Sequence, residues 1–518
     1  MAVRPTVAQS IVPQEVTVNF LTQGEPDTLD PNRLSFAHAV DAAVVRQVFE
    51  PLLRFDEKLI PRPAAAESYD ISPDGTGYTF HLRQDGRWSD GQPVTAGQFA
   101  YSWKRLLDPA LHAEYAALFF DAGIVGVATP DDYTLQVQLS QPFGALPDLA
   151  ALPVGMPLRP DVVTNDPDGW SADPATYVGN GPFVLSDWAH QDHLTLVPNP
   201  YYAAHLGWPR PTLTRVTLLM RTSLEGDLAA FKTDALDWTV VPDVDVNQVL
   251  NDADLARLST RHTELTTFWV QMNDTRAPLS NVLVRRALSK AVDRAALVRD
   301  LTTDVSVPTT SVLPPGMPGF QEGLGHELGF DPSGARALLR TSGFGDPSGF
   351  PKLTFSFPDT AANIRRAQYL QAQWTDHLGI NVVLDPMDEA AYQQAMRTKD
   401  YDLAFGGWAA DYPDPRDWFS LQFGCRGAYN QLNYCSPTFD QVVARADMGS
   451  SLTDRLVLYA QAQTQLMQDV PVAPLFVRGR LVLVKPWVRS ADGGPLAITP
   501  MDDYPGSFFL DKVQIVQH

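Results

Sequence analysis

The chain has 518 residues, of which 44% are hydrophobic and 10% aromatic, ample for real cores and too apolar for a disordered chain. With 60 acidic residues against 39 basic ones the formal charge is −21, a surface that repels phosphate backbones and anionic lipid and argues against nucleic acid as a partner. No run approaches the length of a transmembrane helix, and the length prior is about three domains.

Met1 to Gln14 lack the apolar core of a signal peptide. A cytosolic protein and a mature chain without its leader both stay open at this point. Val16, Val18 and Phe20 alternate as a half-buried strand, and a helical pattern runs from Val40 to Leu53. Tyr78, Phe80 and Leu82 alternate again. Thr95 is placed to cap a helix over Ala96 to Leu107, and Leu135, Val137 and Leu139 give a further strand. Residues 51–174 therefore read as a compact α+β unit inserted between earlier and later strands.

Strands are expected from Phe183 to Trp188, at Leu194–Leu196, at 213–219 and around Leu236–Val241, with a helix at 223–232. A strong strand spans His262–Asn273, and one long helix is expected over Val282–Leu301. Leu353–Phe357, a helix from Ala361 to Leu378, Ile380–Leu384 and Tyr401–Phe405 then alternate as in a parallel-sheet lobe. Helices at 437–447 and 453–469 and a strand at Leu481–Val484 close the lobe, and the tail beyond returns to the first one.

The stretch Phe405-Gly406-Gly407-Trp408-Ala409-Ala410-Asp411 stands out. Glycine costs stability inside a strand, so two in a row mark a close approach by another backbone. Trp408 adds a broad apolar face, and Asp411 follows ahead of Pro413-Asp414-Pro415. An extended strand ending in a carboxylate suits an extended ligand with an ammonium group. Asp411 as a simple turn cap is the alternative.

Cys425 and Cys435, the 2 cysteines, lie in a polar stretch without a Cys-x-x-Cys spacing. A disulfide loop of this length stabilises by about 2.5–3 kcal/mol on the chain-entropy model and points to an oxidising compartment. Two unrelated thiols are the other reading. His190, His193 and His205 read as surface imidazoles rather than a metal set. Gly-x-Ser-x-Gly, P-loop and His-Glu-x-x-His motifs are missing, so no nucleophile, metal or cofactor speaks for an enzyme.

Several stretches in order carry a resemblance: Leu29-Asp30-Pro31, Val48-Phe49-Glu50-Pro51-Leu52-Leu53, Tyr78-Thr79-Phe80-His81-Leu82-Arg83 and Trp88-Ser89-Asp90-Gly91-Gln92-Pro93-Val94-Thr95-Ala96. Tyr101-Ser102-Trp103, Gly179-Asn180-Gly181-Pro182-Phe183, Val284-Arg285-Arg286-Ala287-Leu288 with Asp293-Arg294, Gly407-Trp408-Ala409-Ala410-Asp411-Tyr412 and Val484-Lys485-Pro486-Trp487 continue it. Together they span nearly the whole chain. It resembles the oligopeptide-binding proteins of ABC importers, in the superfamily that also holds dipeptide-, nickel- and cello-oligosaccharide-binding proteins.

The resemblance implies an α/β, periplasmic-binding-protein-like fold of two lobes with an additional α+β domain, the lobes joined by two crossover segments. Domain I would combine 1–50, 175–275 and 485–518, domain II would be 51–174 and domain III 276–484. A peptide would pair in extended form with Ser35-Phe36-Ala37 from one lobe and Gly406-Gly407-Trp408 from the other. Asp411 matches the aspartate that takes the ammonium, and Tyr115 matches a ligand-contacting tyrosine. Phe405 borders this set, and Asn363, Arg365, Glu389 and Met396 are more peripheral candidates.

Some relatives carry arginine where Phe405 and Met396 stand, and histidine in place of Asn363. The ligand's carboxylate is therefore expected to lack a fixed cation; Arg365 and Arg366 are the nearest replacements in sequence, with a solvated helix face as their other role. The function implied is an extracytoplasmic, monomeric receptor that delivers peptides to ABC permease subunits, without cofactor or metal. The alternatives are another solute on the same fold, an oligosaccharide or a metal complex, and a peptidase.

Overall fold

The computed structural model describes residues 13–19, 24–35, 38–221, 226–302, 305–502, 504 and 506–517. β1 (Glu15–Val18) buries Val16 and Val18, as its alternation requires. α1 (Ala39–Val48) stops short of Leu53, because Leu53–Phe55 pairs as a strand with Pro61–Pro63. β2 (Ala66–Ile71), β3 (Gly77–Leu82), β4 (Ile124–Asp131) and β5 (Thr134–Leu139) form an antiparallel sheet in the order β2–β3–β5–β4. In β3 every second residue is buried. α2 (Ala96–Leu106) covers this sheet and starts at a reciprocal cap, in which Thr95 and Gln98 satisfy each other's backbone N–H groups.

β6 (Phe183–Ala189), β7 (His193–Pro198), β8 (Arg215–Leu219), β9 (Trp238–Val240) and β10 (Ser259–Met272) belong with β1 to a second, larger sheet. β11 (Leu353–Pro358), β12 (Val382–Met387), β13 (Leu403–Ala409) and β14 (Val472–Val484) complete it, with a short strand Val307–Pro308 paired to β14 off the main path. Its order is β12–β11–β13–β10–β14–β9–β1–β8–β7–β6. The two long strands hold its halves together. β10 pairs with β13 through Thr266–Met272, while β14 pairs with β9 through Val482–Val484. β10 and β14 also pair with each other, and their register breaks between Thr263 and Thr267. Each strand thus changes partners along its length, and the local irregularity that bends a ladder sits at the change.

The helix expected over Val282–Leu301 is two, α3 (Val282–Lys290) and α4 (Arg294–Leu301). Asp293 turns the chain and accepts the Ala296 N–H as a new cap. α5 (Ala361–Leu378) begins at the Thr360 cap and ends at Gly379, whose φ of 72° is the left-handed conformation glycine adopts most easily. α6 (Glu389–Thr398), which the sequence reading did not include, is capped by Asp388. Cys425 and Cys435 are bonded, with their Cα atoms 4.5 Å apart. No described helix is long and apolar enough to cross a membrane.

Candidate functional site

β13 is covered by β10 along its length, but β11 pairs with it only at Leu403 and Ala404. From Phe405 onward its other edge carries no strand among the described residues. Ala410 donates its N–H to the Leu265 carbonyl on β10. By the two-residue alternation of a strand, Gly407 and Ala409 then direct their backbone N–H and C=O groups to the open edge. Phe405 faces the same way, and its carbonyl accepts from the Tyr392 hydroxyl on α6 at 2.5 Å. An unpaired edge is a template for another extended chain.

This edge borders a cleft of about 880 Å³. Gly406 and Gly407 lie in its wall, yet the reason for glycine differs from the sequence expectation. A Cβ at Gly406 would stand 2.5 Å from Gln271 Oε1 and 2.8 Å from Trp269 Nε1. At Gly407 it would stand 2.8 Å from Phe268 Cδ1 and 2.9 Å from the Thr267 carbonyl. Side chains of the neighbouring strand and, at Gly407, its backbone carbonyl fill the space, so glycine lets β10 and β13 close up.

Trp408 packs against Tyr429, ring centroids 5.1 Å apart, and its indole N–H donates to Asp417 Oδ2 at 2.8 Å. The backbone N–H of Asp411 donates to the same oxygen at 3.1 Å. Asp417 is fully buried, and its Oδ1 has no hydrogen-bond partner among the described residues. Burial and the neighbouring Asp411 hold its carboxyl well above the usual range. Asp411 itself lines the cleft with no cation beside it among the described residues, and burial pushes its carboxyl up to about 7. Arg416 partly offsets the charge of Asp417, but Asp411 has no cation beside it among the described residues, which leaves a place for a ligand cation.

The facing wall comes from the first part of the chain, where Ser35, Tyr115 and the turn Leu152–Val154 line the cleft. Phe36 and Ala37, named with Ser35 from the sequence, lie outside the described residues. Asn363 lines the cleft, but three of the peripheral candidates do not. Met396 is fully buried behind β13, where Gln271 Nε2 donates to its sulfur at 2.9 Å. Arg365 points to solvent and its neighbour Arg366 points in, since successive helix positions diverge by about 100°. Glu389 is exposed at the start of α6 and accepts from Gln393.

The structure adds Asp417, Tyr429, Tyr392 and Arg478. No sequence signal marks them, because each owes its place to tertiary packing. His190, His193 and His205 do not gather; they contact Glu25, Asp192 and Glu50 respectively.

Comparison with known proteins places this geometry. The periplasmic oligopeptide-binding protein OppA of Salmonella typhimurium is 29% identical over 517 residues, covering 95% of this chain and 91% of that protein. A murein tripeptide-binding protein, MppA, in its unliganded open form superposes with a TM-score of 0.87 at 25% identity, covering 98% of each chain. OppA of Haemophilus influenzae in complex with the peptide RPPGFSPFR, also 25% identical, gives 0.69 over 98% of this chain and 100% of that one. The profile of a family described as bacterial extracellular solute-binding proteins, family 5 Middle, matches residues 61–430. This chain belongs to that family.

Proposed function

We propose that the chain is an extracytoplasmic receptor that captures peptides in the cleft and delivers them to the permease subunits of an ABC importer. The observation that carries the reading is the open edge of β13 running into Asp411. An extended peptide meets the backbone groups of Gly407 and Ala409 and brings its ammonium to the Asp411 carboxyl, which has no cation of its own among the described residues. Backbone pairing ignores side-chain identity, so selectivity for sequence is loose. Ser35 and Tyr115 contact the ligand from the facing lobe.

Two lobes follow from the crossings of β10 and β14. On this plan the domains read from the sequence are 1–50 with 175–275 and 485–518, then 51–174 and 276–484. The changes of partner fall inside β10 and β14, ahead of the boundaries at 275 and 484. The register break near Thr263–Thr267 is the natural bending point, and ligand draws the open lobes together. The receptor acts as a monomer, without cofactor, and does no chemistry on its ligand.

The test is calorimetry on ligand-stripped protein with matched peptides bearing a free or an N-acetylated terminus. Free peptides should bind at least tenfold more tightly. Equal affinities would remove Asp411 from its role, and cleavage products from a peptide mixture would turn the reading into a peptidase.

A further inference from the structure

We propose that a contact between the two lobes, made by residues that do not line the cleft, is the fulcrum of lobe closure. Asp121 and the turn Phe143–Gly144, from residues 51–174, rest on Arg416 and Asp447, from residues 276–484. The lobes rotate about the line that joins this contact to the register break of β10 and β14. The inference rests on the two-lobed receptor read above and adds the position of its axis.

The contact is built from rigid groups on both sides. Gly144 donates its N–H to the Asp447 carbonyl at 2.9 Å. A Cβ at Gly144 would run into the Gly449 carbonyl oxygen and stand 2.8 Å from Arg455 Cδ, so glycine is what lets the two backbones touch. Arg416 pairs with Asp121 and lies over the Phe143 ring, 4.6 Å from its centroid. Behind the turn, the Phe143 carbonyl accepts from the hydroxyl of Tyr78 on β3 at 2.9 Å. On the other side the Asp447 carboxylate accepts from Ser420 at 2.7 Å and from Tyr459 at 2.5 Å. Arg455 Nε donates to the neighbouring Ala446 carbonyl at 3.1 Å. One backbone hydrogen bond, one ion pair and one ring make a narrow bearing. It can turn without being torn up, whereas a broad, close-packed apolar interface would have to break before it could move.

Its place follows from β13. Ala409 pairs with Thr266 and Ala410 donates to the Leu265 carbonyl, inside the stretch of β10 where the register with β14 breaks. Asp411 to Arg416 leave the sheet from that point and lead to the contact. Pro413 and Pro415 stiffen this segment by fixing φ, and Arg455 holds Asp414 within it at 2.7 Å. β10 and β14 lie side by side and act as one attachment between the lobes; the contact is the second. A rotation that preserves both must run along the line between them, and points near that line move least. Asp411 lies on the joining segment, so the ammonium site is in place before closure. The facing wall then swings onto a peptide already held by its terminus.

Small-angle scattering and hydrogen exchange on the full, ligand-stripped chain test this, with an equimolar mixture of free-amine tri- to hexapeptides as the probe. Saturating peptide should lower the radius of gyration while the exchange rate of the Gly144 amide changes less than threefold. A tenfold or larger gain in exchange there would make the contact a catch that opens on closure, and would overturn the fulcrum. If calorimetry shows the mixture binding but the radius stays constant, the hinged reading falls and the fulcrum with it; if nothing binds, the peptide reading itself falls. Asp121→Asn should raise the radius of the free protein and weaken free-amine and N-acetylated peptides alike, about two- to fivefold, leaving their ratio unchanged. Asp121→Glu should restore both. Gly144→Val, which forces the backbones apart, should enlarge both effects; the Asp121 side chain is 38% exposed, so its variants carry the test where valine prevents folding. Lower stability of Asp121→Asn in urea with unchanged radius and affinity would reduce the contact to a structural tie and overturn the proposal.

Discussion

Asp411 and Asp414 stand on one short segment after β13 but keep opposite electrostatic company. Asp414 is 1% exposed and paired through Oδ1, which accepts from Arg455 Nη2 at 2.7 Å and from the Arg416 N–H at 2.9 Å, while its Oδ2 has no hydrogen-bond partner among the described residues. Arg416 pairs with Asp121 and Asp447 and lies over the Phe143 ring at 4.6 Å. This cluster ties the segment to parts of the chain hundreds of residues earlier. Asp411 faces the cleft beside a second acid, Asp417, with no such cation. A buried charge that serves structure is neutralised from within the protein. One left without its counter-ion is held for something that arrives from outside, and until then a proton occupies its place.

Removing a partner from the neutralised cluster should have the largest effect. Arg455→Ala strands Asp414, and also Asp148, whose carboxyl burial and Asp414 already hold well above the usual range. Breaking a buried pair from one side costs about 3–5 kcal/mol. Urea unfolding of ligand-stripped protein should show that loss, whereas Asp411→Asn should be neutral or stabilising. The sign follows from the raised carboxyl at Asp411. Its contribution to stability is present at pH below the unfolded value of 3.8 and is lost as pH rises through about 7, so the asparagine variant should gain on the parent across that window. Equal destabilisation by the two variants would erase the distinction between structural and vacant acids.

For binding the order reverses. A hydrogen bond to a charged group contributes roughly 1.5–3 kcal/mol, so Asp411→Asn should weaken free-amine peptides roughly ten- to a hundredfold. N-acetylated peptides should respond little. Folded Arg455→Ala protein should retain the ratio between free and acetylated peptides, because its lesion lies outside the ammonium site.

A smaller effect is the dependence on pH. Asp411 must give up its proton to receive an ammonium, so affinity should fall by up to tenfold per unit as pH drops below about 7. On the alkaline side the peptide's own α-amino group, with a pKa of about 7.7–8.0, loses the charge it needs. The optimum therefore lies between these values. Asp417, Tyr429 and Arg416 are the other titratable groups around the pair. Titrations should show proton release on binding at pH 6, measured in two buffers of different ionisation enthalpy. Asp411→Asn should flatten the acid limb, and an unchanged limb would assign it to another group.

Much of this was readable in the chain. The β13 stretch declares itself through two glycines, a tryptophan and an aspartate ahead of prolines, and the α5 pattern with its Thr360 cap fixes the helix beside it. Only the end of β14, Leu481–Val484, is read as a strand from the sequence, and its first half carries Pro474. The register irregularity between Phe268 and Trp269, where Pro474 faces Trp269, is what admits a residue without an N–H. α6 escaped because its buried face is only Tyr392 and Met396. Arg365 and Arg366 are indistinguishable as letters. Only the packing of α5 decides which of them stands over the Phe405 ring, just as only the turn after Pro415 brings Asp417 back beneath Trp408.

The subtlest prediction concerns that last contact. The Trp408 indole N–H stabilises the ionised form of Asp417, working against the burial that raises its carboxyl. Trp408→Phe keeps an apolar wall against Tyr429 but removes the donor, a change of about 0.5–1.5 kcal/mol. At 1.36 kcal/mol per pKa unit, Asp417 should become neutral more readily by up to about one unit. A neutral Asp417 no longer opposes ionisation of Asp411, so the acid limb of peptide binding should move to lower pH by several tenths of a unit. Affinity at pH 7.5 should change less than threefold. Determining the dissociation constant across pH 5–8 for parent and variant checks this. A limb that stays in place would show that the two carboxyls titrate independently, and a limb that moves upward would show that the indole holds Asp411 ionised directly rather than through Asp417.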